Sequence, residues 1–176
     1  MELFGGPDPG GFGARASGPF GSCGRVDREQ LLDLHGESRD TWPASDALCS
    51  ALQVLNHLQD CAEDYRLLDR VYLPLTDLDS RSGCGEALAA GASSPALRRV
   101  LDGLLGRTAA LVDQARGLPP VVASSGLRWE CGVIVELAAR LLRRLRRDDP
   151  VARRVKLRKS DFFAAFVIGV SGGVRG

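Results

Sequence analysis

Between Gln53 and Tyr72 the run QVLNHLQDCAEDYRLLDRVY sets oxygen donors at helical spacing: Gln53, Asn56, Asp60 and Asp64. At 100° per residue these four side chains fall within an arc of about 80°, while Leu48, Ala51, Leu55, Leu58 and Ala62 cluster on the opposite side. Asp60 and Asp64 stand one turn apart with Glu63 beside them. Like charges at that offset cost an isolated helix a few tenths of a kcal/mol, and a bound cation reverses the sign of the interaction. One amide oxygen and two carboxylates suit Mg²⁺, which takes one or two carboxylates and completes its shell with water and phosphate oxygens. Asn56, Asp60 and Asp64 are therefore the candidate metal ligands. Downstream, Arg66, Arg70 and Tyr72 carry donors suited to phosphate oxygens. The chemistry this set could do is to hold a diphosphate through metal ions.

Other residue types offer less. Asp33 and Glu37 share the four-residue offset, but Gly36 interrupts their segment, and they are not counted as a second ladder. His57 adjoins the polar stripe and is read as lining a helix face rather than as a general base. Ser124 and Ser125 have no nearby His and acid in a nucleophile arrangement. Trp42 and Trp129 are expected at the core or its boundary. Cys23, Cys49, Cys61, Cys84 and Cys131 include no C-x-x-C pair, and with His35 and His57 they complete no zinc spacing. They read as small buried thiols in a reducing compartment.

The elements that must position the ladder are helical. Ser45 is the expected cap of a helix running to about Leu68 and stopped before Pro74. Ser94 with Pro95 opens a second helix that ends near Gly117 and the Pro119, Pro120 pair. A third covers about Leu127 to Arg147, with Val133, Ile134, Leu137, Ala138, Leu141, Leu142 and Leu145 at three- and four-residue steps. Ser160 caps a last short helix that holds Phe162, Phe163 and Phe166. No alternating strand pattern is present, so the expected fold class is all-α, over residues 29–176. Residues 1–28 are Gly- and Pro-rich and are expected to be a disordered leader. Gly11, Gly13 and Ala16 within it match G-x-G-x-x-A, but no strand precedes them and no helix clearly follows, so no dinucleotide site is read there.

The chain has 176 residues, 44% of them hydrophobic, which suffices for one core. A formal net charge of +1 and 6% aromatic residues argue against a nucleic-acid partner. Charge is uneven, however: Arg140, Arg143, Arg144, Arg146, Arg147, Arg153, Arg154, Lys156, Arg158 and Lys159 make residues 140–159 basic. This segment could be a solvated helix face, or could touch an anionic membrane surface. No basic start followed by an apolar run suggests a signal peptide, and no run approaches a membrane span. The expected location is the cytoplasm, peripheral at most to the inner face of the membrane.

The pattern Q-x-x-N-x-x-x-D-x-x-E-D followed by R-V-Y-L-P, Gln53 to Pro74, resembles the second aspartate-rich motif of the squalene and phytoene synthase family. The flanking LHGESRDTWPASDALCSALQVLNHLQDCAEDYRLLDRVYLPL and the later RRDDPVARRVKLRKSD are similar to its bacterial hydroxysqualene synthase branch, which serves hopanoid biosynthesis. The resemblance, over roughly Leu31 to Asp161, implies an all-α isoprenoid synthase fold whose aspartate-bearing helices face a cavity. It implies that Asn56, Asp60 and Asp64 bind Mg²⁺, and that the substrate is presqualene diphosphate or another prenyl diphosphate. It also implies an N-terminal half, with a first aspartate-rich motif, that this chain lacks, so binding with impaired turnover is the expectation. The competing expectation is a noncatalytic helical module that meets a membrane or a partner through its basic segment.

Overall fold

The computed structural model describes Leu32, residues 36–73 and residues 81–173, without the side chains of 81–84 and 169–173. The leader at 1–28, Asp33, His35 and Pro74 lie outside the described residues. Within them the chain is all helix and turn: a 3-10 turn Arg39–Thr41, then α1 (Trp42–Leu68), α2 (Arg81–Ala89), α3 (Pro95–Ala115), α4 (Leu118–Val121), α5 (Ser125–Arg147) and α6 (Lys159–Gly173).

Helix α1 starts three residues before the expected cap. Pro43 occupies its first turn, where a missing N–H costs nothing, and Ser45 is a buried helical residue instead of the cap. The preceding turn is capped by Ser38, whose hydroxyl accepts from the Asp40 N–H at 3.2 Å. At its other end α1 stops at Asp69, which takes a left-handed conformation (φ 50°) and donates its N–H to the Tyr65 carbonyl at 3.0 Å. The reversal sends the chain back along α1 before it reaches Pro74.

The apolar face of α1 is the one its periodicity assigns: Leu48, Ala51, Leu55, Leu58 and Ala62 are all buried. It packs chiefly on α3, which opens as expected with Ser94 accepting from the Leu97 N–H at 3.1 Å. Leu97, Leu101, Leu104, Leu105, Val112 and Ala115 form the matching stripe on α3, and each leucine buried there contributes about 2 kcal/mol. Thr108 sits within this stripe and satisfies its hydroxyl on the Leu104 carbonyl at 2.8 Å. Helix α5 is buried along Leu127, Cys131, Val135, Ala138, Leu142 and Leu145, whereas Val133, Ile134 and Leu137 are only half-buried. Apolar residues exceed one stripe on α5 because α1, α3, α4 and α6 all pack against it.

Helix α2 has no counterpart in the sequence reading. It docks on α1 where Gly85 meets the ring of Tyr65: a Cβ at Gly85 would lie 2.5 Å from the Tyr65 hydroxyl oxygen and 2.8 Å from Cζ. Gly85 is there for clearance.

The chain from Asp148 to Arg158 straps α5 to the rest of the core. Val151 and Val155 are buried, and Asp149 accepts from the Ser93 N–H (2.7 Å), the Ser93 hydroxyl (2.6 Å) and the Val151 N–H (3.0 Å). Burial pushes the Asp149 carboxyl up, but these bonds outweigh it and leave it below its ordinary value. Asp161, buried in the first turn of α6, accepts from the Arg158 N–H at 2.7 Å and from Arg144 Nε at 3.0 Å. The backbone bond, with Arg144 and Arg140 adding to it against burial, holds its carboxyl low as well. Both groups have folded-state values below 3.8, so their stabilisation is complete above that pH and is lost as pH falls through the depressed values. Denaturant melts between pH 5 and 2 should therefore show stability falling steeply below about pH 4, and Asp161→Asn should flatten part of that slope.

Cys61 and Cys131 are buried as expected, and burial pushes their thiols up to about 12 and about 11. Cys49 corrects the reading, because it is exposed. Cys23 and the Cys84 side chain lie outside the described residues. Brief alkylation at pH 8 followed by peptide mapping should label Cys49 in the folded protein and Cys61 and Cys131 only after denaturation.

Candidate functional site

The ladder occupies the middle and C-terminal turns of α1, opposite the face that meets α3. Asn56 is exposed, whereas Gln53, Asp60 and Asp64 are half-buried. Two segments from elsewhere in the chain cover part of this face. After the reversal at Asp69, Tyr72 returns to stack on His57, ring centroids 4.2 Å apart and planes 20° from parallel. From the 148–158 strap comes Arg154. Its NH2 donates to Asp60 Oδ2 at 2.9 Å, and its Nε sits 2.6 Å from Oδ1 in an ion contact too bent for a hydrogen bond. Its NH1 lies 3.4 Å from Glu63 Oε2.

Tyr72 therefore reaches the ladder face, in contact with His57. Arg66 is turned to the strap, donating to the Val151 carbonyl at 3.4 Å, and Arg70 is exposed. The neighbour that sequence reasoning did not assign is Arg154. It was visible as one of ten basic residues, but nothing local linked it to Asp60, 94 positions away. His57 has its pKa lowered by burial, an effect that Asp64 and Asp60 oppose without overcoming. The ring thus favours its neutral form, able to stack on Tyr72 without carrying charge.

Among the described residues no three His, Cys, Asp or Glu side chains gather closely enough to hold a metal by themselves. Mg²⁺ does not require three, since it usually keeps several waters and takes its remaining ligands from one or two carboxylates and substrate phosphate. The donor set of Asn56, Asp60 and Asp64 fits that requirement. Arg154 is direct evidence that this face attracts positive charge: its guanidinium has already settled on Asp60 and Glu63.

Glu37 has a different task from the ladder. Its buried carboxylate accepts from the Ala123 N–H (2.7 Å) and the Ser124 N–H (2.8 Å), clamping the chain at the start of α5. The basic segment is similarly occupied. Arg140 and Arg143 pair with Glu136, Arg144 with Asp161, and Arg153 with Asp148. Arg147, Lys156, Arg158 and Lys159 are exposed and make no ion pair among the described residues. No described helix is long and apolar enough to cross a membrane.

The described residues form an all-α protein that lays carboxylates along one helix face, with Arg154 brought over them from the strap. The family model for squalene/phytoene synthase matches residues 28–161, and the chain belongs to that family. It is 47% identical over 135 residues to a hydroxysqualene synthase of Rhodopseudomonas palustris, covering 77% of this chain and 46% of that protein. A hydroxysqualene synthase of Sinorhizobium fredii is 41% identical over 127 residues (72% and 44%). One of Zymomonas mobilis is 34% identical over 142 residues (81% and 48%). The chain thus spans about half the length of these relatives. No solved structure matches it.

Proposed function

We propose that this protein acts on a prenyl diphosphate in the manner its relatives' name describes, ionising presqualene diphosphate or a related substrate and capturing the cation with water to give hydroxysqualene. The observation that carries the reading is that the family match contains every donor of the ladder, Gln53 to Tyr72, within one contiguous span. Asn56, Asp60 and Asp64 would hold Mg²⁺, which when bound supplies positive charge for the departing diphosphate. The chain's own part is to gather donors. Arg70 is free in solvent to reach phosphate oxygens, Arg66 and Tyr72 flank the same end of α1, and Gln53 extends the polar face by one turn. Neutral His57, stacked on Tyr72, fixes that ring without competing for the phosphate.

Cation and diphosphate recruitment is assigned to this one ladder. Enclosing a long prenyl chain and keeping water out until rearrangement is complete requires more apolar wall than the ladder face provides. The reading therefore gives this chain binding with turnover well below that of its longer relatives. The test is incubation of the purified chain with presqualene diphosphate, with and without Mg²⁺, and analysis of the neutral lipid product. Slow, Mg²⁺-dependent hydroxysqualene release is expected, and full turnover would overturn the impaired part of the reading.

A cytoplasmic protein in peripheral contact with an anionic membrane belongs to the same reading, as does hopanoid biosynthesis as its setting. The second reading, a noncatalytic module that meets a membrane or partner through residues 140–159, is favoured by the exposed cations Arg147, Lys156, Arg158 and Lys159.

A further inference from the structure

Among the described side chains of helix α6 only Asp161 and Ala165 are buried. Phe162 is 52% exposed, Phe163 73% and Phe166 51%, the largest apolar side chains left in solvent on one described element. At 100° per residue Lys159, Phe162, Phe163, Phe166 and Val167 fall within an arc of about 140°, and the buried Asp161 and Ala165 lie on the other side. The inward side is fixed by the Asp161–Arg144 ion pair at 2.7 Å, and Trp129 meets the edge of Phe166 at 5.2 Å. The rotation of α6 about its axis is thus set by packing: Phe166 touches Trp129 of α5 with about half its surface in solvent, while Phe162 and Phe163 are exposed.

Cations border this face. Lys159 opens the arc, Arg158 and Lys156 precede it on the strap, and all three are exposed without an ion pair among the described residues. From Phe162 to Gly173 the helix contains no acidic residue. The family match stops at Asp161, one position before Phe162. A short helix with aromatic side chains on one face and cations at its entry is built for the headgroup boundary of a bilayer and cannot span it.

We propose that α6 is an interfacial anchor: Phe162, Phe163 and Phe166 insert among the acyl chains of an anionic membrane while Lys156, Arg158 and Lys159 lie against its headgroups. This deepens the peripheral contact named above and moves it from the largely self-paired residues 140–154 to residues 156–168. Charge complementarity selects an anionic bilayer over a second copy of the chain, whose α6 would bring the same cations into opposition.

The test is vesicle flotation of the whole chain with phosphatidylcholine alone and with added phosphatidylglycerol, each at low and high salt. Flotation with the anionic vesicles, weakened by salt, is expected. Phe162→Ser with Phe163→Ser should lower vesicle affinity by about tenfold or more, with unchanged circular dichroism because both side chains are exposed. Lys156→Glu with Lys159→Glu should abolish the preference for phosphatidylglycerol. Equal flotation with neutral vesicles, no flotation, or serine variants that float like the parent would each overturn the proposal. So would a concentration-dependent dimer in sedimentation that the serine changes disrupt without any vesicle binding. Flotation uses no diphosphate, so its failure leaves the diphosphate reading standing, and the converse also holds.

Discussion

Asp60→Ala and Asp64→Ala should each remove calorimetrically detectable binding of a prenyl diphosphate analogue in the presence of Mg²⁺, a loss of more than about a hundredfold in affinity. Outer-shell partners of metal ligands cost up to about that much when removed, and a direct ligand should cost more. The same substitutions should barely change stability. Asp60 is paired with Arg154, but both side chains are partly in solvent, 27% and 40% exposed, and a pair of that kind is worth at most about 1 kcal/mol. The split between the two measurements is the point of the experiment. Affinity lost with the melting temperature preserved identifies a binding carboxylate, whereas a lowered melting temperature with affinity preserved identifies a structural tie. Indifference in both would leave the noncatalytic module as the better reading.

Glu37→Ala should have the opposite profile, with stability lost and ligand chemistry untouched. Its carboxylate receives two charge-assisted hydrogen bonds from adjacent backbone N–H groups at 2.7 and 2.8 Å, at the entry to α5. Removing the carboxylate leaves both donors unsatisfied, which costs about 3 kcal/mol. Glu37→Gln is the informative companion. The amide has one oxygen, so only one of the two N–H groups keeps an acceptor, and the variant should fall between the parent and Glu37→Ala. Urea denaturation of the three proteins checks the order. If Glu37→Ala unfolds at the parent's midpoint, the clamp contributes nothing.

These three carboxylates also show what could be read from sequence. The buried and polar sides of α1 were legible because one period governs Leu48 to Ala62 and a different residue chemistry occupies the other side. The start of α3 was legible because Ser94 and Pro95 are both local signals. Helix α2 was not. Its residues include Gly83 and Gly85, and its packing depends on an absent side chain under Tyr65, which leaves no apolar stripe to detect. The start of α1 was misplaced because Ser45 is a good cap in isolation, while the signal that prevailed was Pro43 in the first turn. Gly36 sets Glu37 aside as part of a second ladder, but nothing local shows the partners it does have, Ala123 and Ser124, which lie 86 and 87 positions away. Arg154 was opaque for the same reason. Side-chain pairs that bridge the whole fold follow no periodicity.

The Asp60–Arg154 tie has a consequence for a chain emerging from the ribosome. Asp60 is synthesised 94 residues before its guanidinium partner, a delay of about 5–20 s at ordinary translation rates. During that interval the nascent helix carries its acidic stripe with no compensating side chain from the strap. Any counter-charge it acquires has to come from nearby residues such as Arg66 and Arg70 or from the surrounding solution.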